Sequence, residues 1–302
     1  YNSVQSNTIC LAWQKAFGIE PATMGIVLTL LTLLIIFGGI QRVAKFSSTV
    51  VPVMAIIYLL IAVGVVIWNI TCLPQVLLTI VENAFGFNQA AGGVLGVTVI
   101  QGIKRGLFSN EAGEGSAPNA AAAATVSHPV KQGLIQALGV FTDTLVVCSC
   151  TAFIILVSGV DVTASNGIQL TQDALTHEIG SIGNPFVAVM IWLFAFSSII
   201  GNYYYGETNV RYIKDSKLGV FIYRLAVAAM VMIGAVVSLD FAWSFADITM
   251  ALLTLCNLVA IVLLSRHAVF LLQDYRQQKK EGKNPVFSKD KMPEIADQLE
   301  AW

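Results

Sequence analysis

The sequence predicts an all-α polytopic membrane protein, and three observations carry that reading. Of 302 residues, 56% are hydrophobic and only 12% charged, where a soluble domain carries about 25% charged residues. Seven apolar stretches are long enough to cross a bilayer. Lysine and arginine alternate between the connections that join them. The mean hydropathy of +0.74 agrees, and a net charge of −1 gives no basis for a nucleic-acid partner. The chain starts at Tyr1 with no initiator Met or signal peptide, and is expected to begin inside a larger protein.

A span needs about 20 mostly apolar residues. The seven stretches are 22–40, 48–69, 91–127, 132–158, 186–212, 218–239 and 242–273. Residues 73–87 are too few to cross and read as an amphipathic surface helix; 171–180 is similar but more polar. Arg42 and Lys45 follow the first span, Lys131 the third, and Arg211, Lys214 and Lys217 the fifth. Arg276, Lys279, Lys280, Lys283, Lys289 and Lys291 fill the end of the chain. The alternate connections, 70–90, 159–185 and 239–241, contain neither residue type, and Lys15 alone lies on the opposite side. This bias places the C-terminus in the cytoplasm and Tyr1 outside. The expected division is a transmembrane domain, 1–275, and a cytoplasmic tail, 276–302.

The third stretch departs from the others. Its centre, KRGLFSNEAGEGSAP (104–118), is polar and glycine-rich, and an all-small run follows. Each glycine costs about 1 kcal/mol relative to alanine in a helix, so a break is expected between about Gly106 and Ser116. Broken backbone is tolerated at membrane depth only where protein buries it or a wet cavity meets it. Discontinuous helices of this kind form solute sites in transporters. Glu111 and Glu114 can face water, hold a cation, or pair with Lys104 and Arg105 as structural charges that keep the break open.

Other polar groups inside spans are costly and draw attention. Asp143 is either an ion ligand or a structural acid satisfied by Thr142 and Thr144. Arg224 snorkels or pairs with Glu207, and Asp247 reads as a helix cap beside Trp243. Ser197 and Ser198 either bond a carbonyl one turn back or offer oxygen ligands to a hard cation. His128, His177 and His267 sit at span edges or in a loop, without metal-ligand spacing. Cys148 and Cys150, one residue apart, match neither zinc nor redox spacing; like Cys10, Cys72 and Cys256, they read as small packed side chains. No phosphate loop, G-x-S-x-G or H-E-x-x-H is present, so no enzyme activity is expected.

The segment GIKRGLFSNEAGEGSAPNAAAAATVSHPVKQGL (102–134) closely resembles the core signature of the alanine/glycine:cation, or sodium:alanine, symporter family. QSNTICLAWQKAFGI (5–19), GGIQRVAKFSSTVVPVMAIIY (38–58), FAFSSIIGNYYYGE (194–207) and NLVAIVLLS (257–265) extend the resemblance over almost all of 1–275. Asn202 departs from it, standing where the family more often carries tryptophan.

The resemblance implies the five-plus-five inverted-repeat (LeuT-type) fold, with seven spans present and the third broken. Spans one and two would close the first repeat and spans three to seven form the second. The upstream broken helix would be missing, so these residues alone should not transport. The implied function is symport of sodium with alanine or glycine across the cell membrane, with sodium as coupling ion and no cofactor. Glutamine, or proton coupling, is an alternative within the class.

The resemblance also implies roles for individual residues. The first half-helix would end near Gly106–Phe108 and offer carbonyls to a substrate ammonium or to sodium. Phe108 would form a pocket wall, Ser109 and Asn110 would bond substrate, and Ser197 and Ser198 would complete a sodium site. Glu111 and Glu114 would organise the break, neutralised by Lys104 and Arg105, because a bare carboxylate would repel the substrate's own. A seven-helix receptor or light sensor would share the topology, but residues 242–265 hold no lysine for retinal. A channel would need a repeated carbonyl filter, and none is visible.

Overall fold

The computed structural model describes residues 1–38, 40–84 and 92–299. Among them the regular structure is entirely helical, in the order α1 (Asn2–Phe17), α2 (Pro21–Ile36), α3 (Ile40–Trp68), α4 (Leu73–Ala84), α5 (Gly92–Asn110), α6 (Ser116–Ala122), α7 (Pro129–Phe141), a π-helical turn (Thr142–Cys148), α8 (Ser149–Ser158), α9 (Ile168–Ile179), α10 (Gly183–Ile213), α11 (Lys217–Val236) and α12 (Leu239–Lys280). Five helical segments among the described residues are long and apolar enough to cross a membrane: Val51–Trp68, Pro129–Ser158, Ile168–Ile213, Lys217–Val236 and Leu239–Lys280. The stretch read as a first span, 22–40, is a shorter apolar helix, Pro21–Ile36, followed by a turn at Phe37 and Gly38. The stretch 91–127 is divided between α5 and α6. The amphipathic segments 73–87 and 171–180 appear as α4 and α9; residues 85–87 lie outside the described residues.

The chain forms two compact units, one of residues 1–106 and 144–249 and one of 107–143 and 250–302. In the first, α1 packs on α10 and α11, and α2 on α11. Ile9, Cys10, Leu28, Phe196, Ile199 and Val231 make one buried cluster there. Met54, Tyr58, Ile154, Leu175, Val187 and Met190 make another, between α3, α8, α9 and α10.

No element was expected at α1, whose residues are too polar for a span. Its burial has a different basis. Ser3 and Ser6 donate their hydroxyls to the carbonyls of Met230 and Val231, at 3.3 and 2.7 Å. The Asn7 amide donates to the carbonyls of Gly234 and Val237, at 2.9 and 2.8 Å. The last four carbonyls of a helix have no partner within it, so Asn7 closes the end of α11. Gly234 makes the fit possible, since a side chain there would collide with the backbone of Ser3.

In the second unit the segment after Tyr275, read from its charge as a soluble tail, folds against the α6–α7 connection. The Phe287 amide donates to the Ser127 carbonyl at 2.9 Å, and the Ser127 hydroxyl to the Pro285 carbonyl at 3.0 Å. Lys131 reaches Asn284 at 2.7 Å. His128 is fully buried and caps α7, with Nδ1 accepting from the Val130 amide. That bond puts the neutral ring's proton on Nε2, which faces Asp274 at 3.2 Å. Asp274 also accepts from Gln278 at 2.8 Å and from Lys291 at 2.7 Å. Phe287 and Met292 are buried, Phe287 edge-on to His128.

Truncating Phe287 removes the largest apolar anchor of this segment. A buried Phe→Ala change costs about 3 kcal/mol, so Phe287→Ala should expose 282–299 to protease while helix content stays constant. Limited proteolysis with mass spectrometry reads the cut sites; an unchanged cleavage rate in 282–299 contradicts the packing.

Candidate functional site

The helix break is built by backbone geometry. α5 ends at Asn110, and Glu111 takes a left-handed conformation with φ 48°. The Glu111 amide returns to the Phe108 carbonyl at 3.2 Å, and the Ala112 amide to the Leu107 carbonyl at 3.1 Å. This paired closure is a Schellman motif, which satisfies two helix-end carbonyls and sends the chain out of the helix. Glycine is the usual residue at the left-handed position; a side chain there costs roughly 1–2 kcal/mol. Gly113 and Gly115 are left-handed as well, at φ 77° and 87°, and α6 starts at Ser116. The break therefore covers 111–115. The expectation that the first half-helix ends near Gly106–Phe108 is corrected. One helical glycine costs only about 1 kcal/mol and does not stop α5 at Gly106, so Gly106, Phe108, Ser109 and Asn110 lie on its last turns.

Three side chains hold the turn. The Ser116 hydroxyl donates to the Glu111 carboxylate. The Asn119 amide donates to the Gly115 carbonyl at 2.9 Å. Asn257, from α12, donates to the Gly113 carbonyl at 2.9 Å. A Cβ on Gly115 would lie 2.8 Å from Cγ of Asn257, so the glycine is required both by φ and by contact. Asn257 was quoted within NLVAIVLLS but given no role; an amide inside an otherwise apolar run was the available signal. Glu114 is almost fully buried.

Lys104 and Arg105, in the first unit, have a carboxylate on α12. Arg105 makes a forked pair with Asp247, at 2.8 and 2.9 Å, and its guanidinium lies 4.4 Å from the centre of the Trp243 ring. Lys104 is 3.9 Å from the same acid. Asp247 is thus no cap: it lies two turns inside α12 and is an ion-pair partner. Helical side chains lean toward their own N-terminus, which directs residues 104 and 105 back along α5.

Ser197 and Ser198 lie in the uninterrupted helix α10, and both hydroxyls donate to the Phe194 carbonyl, at 2.8 and 3.1 Å. That is the back-bonded arrangement; the hydroxyl oxygens keep lone pairs for a cation. Arg224 meets Glu207 at 3.5 Å and Tyr203 at 3.0 Å, the second of its two readings. Ser109 donates to Asp143 at 3.2 Å. Thr142 bonds back to the Leu138 carbonyl, so its hydroxyl is engaged away from the acid. Among the described residues no group of three or more His, Cys, Asp or Glu is placed to hold a metal ion. Lys104, Arg105, Gly106, Ser197 and Ser198 belong to the first unit, and Phe108, Ser109, Asn110, Glu111 and Glu114 to the second.

An all-helical set of described residues, several of them in helices long and apolar enough to cross a membrane, fits a multi-pass membrane protein. Comparison with known proteins supplies the family. The model of the sodium:alanine symporter family matches residues 1–289, and the chain belongs to that family. It is 54% identical to the "Probable sodium/glutamine symporter GlnT" of Bacillus subtilis (strain 168), over 96% of this chain and 61% of that protein. It is 52% identical to "Amino-acid carrier protein AlsT" of the same organism, over 100% and 64%. It is 35% identical to "Sodium/alanine symporter AgcS" of Methanococcus maripaludis, over 94% and 63%. The chain spans less than two thirds of the length of these relatives.

The contact between Asn257 and Gly115 sets a double-mutant test. Asn257→Ala should cost about 1 kcal/mol through the lost hydrogen bond. Gly115→Ala should cost more, because it combines a left-handed side chain with a collision. With Asn257 already truncated, its Cγ and Oδ1 are gone and only its Cβ stays close, at 3.1 Å, so the penalty of Gly115→Ala should shrink by about 1 kcal/mol. Melting temperatures of the four proteins decide it; additive penalties contradict the contact.

Proposed function

We propose that the full-length protein is a secondary active symporter that couples sodium entry to uptake of a small neutral amino acid, alanine or glycine, across the cell membrane. The observation that carries the reading is the capped break of α5 and α6, in a chain of this family. A helix that stops in mid-course presents helix-end polar groups to a ligand that brings both an ammonium and a carboxylate. Phe108, Ser109 and Asn110, on the last turn before the break, would line the substrate pocket, with Gly106 behind them. An amide and a hydroxyl can bond either end of a zwitterion without adding net charge. Glu111, tied to Ser116, and the buried Glu114 would shape the turn. Lys104 and Arg105, with Asp247, would fix the helix leading into it.

Ser197 and Ser198 would supply hydroxyl oxygens to sodium. Their bonds to Phe194 use the hydroxyl protons and leave oxygen lone pairs available to a cation. The proposed frame is the five-plus-five inverted repeat, with seven spans in this chain and the C-terminus in the cytoplasm, as the lysine and arginine bias suggests. Residues 1–275 would form the transmembrane domain and 276–302 its cytoplasmic end.

A second substrate reading, glutamine, is favoured by the relative named as a sodium/glutamine symporter at 54% identity. Proton coupling draws support from the relative named "Sodium/proton-dependent alanine carrier protein" of Bacillus sp. (strain PS3), 37% identical. Full-length protein in proteoliposomes separates these readings. An imposed sodium gradient should drive alanine accumulation, and alanine should drive labelled sodium entry at a fixed ratio. Uptake indifferent to replacement of sodium by choline overturns sodium coupling, and glutamine outcompeting alanine assigns the second substrate. Ser197→Ala with Ser198→Ala should raise the sodium concentration for half-maximal uptake about tenfold or more, a loss near 1.4 kcal/mol, with a smaller change in alanine affinity. An unchanged sodium activation curve removes the pair from the site.

A further inference from the structure

The residues after α12 are charged enough to be solvated freely, yet they fold back on the helix they leave. Gly282, left-handed at φ 73°, turns the chain. The Gly282 amide donates to the Lys279 carbonyl at 3.1 Å and the Lys283 amide to the Gln278 carbonyl at 2.9 Å, which is again a Schellman closure. The Gln278 side chain then clasps the backbone of Val286, its Nε2 donating to the carbonyl and its Oε1 accepting from the amide, both at 2.9 Å. Lys291 meets Asp274 at 2.7 Å.

All of these contacts lie within the second unit, and together with Asn257 they bracket one short piece of chain. Residues 111–127 run from the break through α6 to the place where the segment is seated. Asn257 holds their beginning through the Gly113 carbonyl. Ser127, bonded to Phe287 and to Pro285, holds their end. On α12 the two anchor points, Asn257 and Asp274, are roughly 25 Å apart at 1.5 Å per residue.

The two attachments differ in kind. At the break, Asn257 is in tight contact with Gly115. At the far end the Lys291–Asp274 pair, the Gln278 clasp and the bond from Lys131 to Asn284 are all exposed, and water replaces such contacts readily. The buried side chains Phe287 and Met292 are set against the entropy of ordering about ten residues. His128 caps α7 through Val130 whether or not the segment is seated. An attachment of this composition belongs to the low-stability end of a fold, where moving elements are found. We propose that residues 283–292 are a releasable latch: seated, they tie the end of α6 to α12 and restrain the half-helix that follows the break; unseated, they free it. The inference rests on the symport reading, in which transport requires one part of the fold to move against another. The segment contains none of the proposed ligand residues, so the latch sets the rate of turnover and not the affinities.

The test uses the full-length protein. Lys131→Cys and Asn284→Cys, in a background with the other cysteines replaced, are joined by a short bis-methanethiosulfonate linker before reconstitution. Joining them should lower the rate of sodium-driven alanine uptake at least fivefold and leave the alanine and sodium affinities of the purified protein within twofold. Dithiothreitol, which cleaves the linker, should restore the rate. Release is the opposite arm. Lys291→Ala, an exposed change that keeps both buried side chains, should raise the maximal uptake rate at least twofold while 282–299 becomes more open to protease. A joined protein that transports at its unjoined rate overturns the latch and leaves symport intact. So does a Lys291→Ala protein whose segment is freed to protease with no gain in rate, and so does a joined protein that loses alanine binding along with transport. Wild-type proteoliposomes without sodium-dependent alanine uptake remove both the latch and the symport reading.

Discussion

A single left-handed residue decides the course of the third apolar segment. With Glu111 at φ 48°, the amides of Glu111 and Ala112 turn back to Phe108 and Leu107, and α5 cannot continue. Everything around the turn serves that conformation. Ser116 holds the Glu111 side chain, Asn257 holds the Gly113 carbonyl, and Asn119 closes the start of α6. Glycines occupy the two later left-handed positions. A side chain in the first one is a local strain that surrounding bonds must over-determine, and such strain collects at sites that bind or switch.

The same economy recurs elsewhere in the chain. Polar side chains inside apolar packing are spent on backbone carbonyls that helix ends and turns leave open. Asn7 does this at the end of α11 and Asn257 at the break. In hydrocarbon an unmet carbonyl costs several kcal/mol, so each of these amides fixes the geometry of a junction as firmly as a hydrophobic contact would. Charges follow a related rule. Arg105 with Asp247 and His128 with Asp274 join segments more than 140 positions apart, while Arg224 with Glu207 and Lys291 with Asp274 tie together stretches 17 positions apart.

Patterns within one segment were legible in the sequence. Apolar length marked most of the helices, glycine and composition marked the break, and a polar face marked α4 and α9. What stayed hidden depends on partners distant along the chain. α1 has too little apolar character to stand out, because its burial rests on α11 carbonyls more than 220 positions away. Asp247 looked like a cap because its partner, Arg105, is 142 residues earlier. The onset of the break was placed too early because helix propensity counts glycines, whereas the stop is set by which residue turns left-handed. At Glu111 that residue is not a glycine. The π-helical turn at Asp143 gave no compositional signal.

In the proposed symporter the ligand would rest against the last turn of α5 and the break 111–115 that closes it. Hydrogen–deuterium exchange on the full-length protein, with sodium and alanine against choline alone, tests it at backbone resolution. Amides of 109–116 should slow several-fold when both ligands are present, while those of 250–265 on α12, which hold the turn from one side, stay unchanged. Ligand-dependent protection elsewhere in the chain with no change in 109–116 would contradict the account.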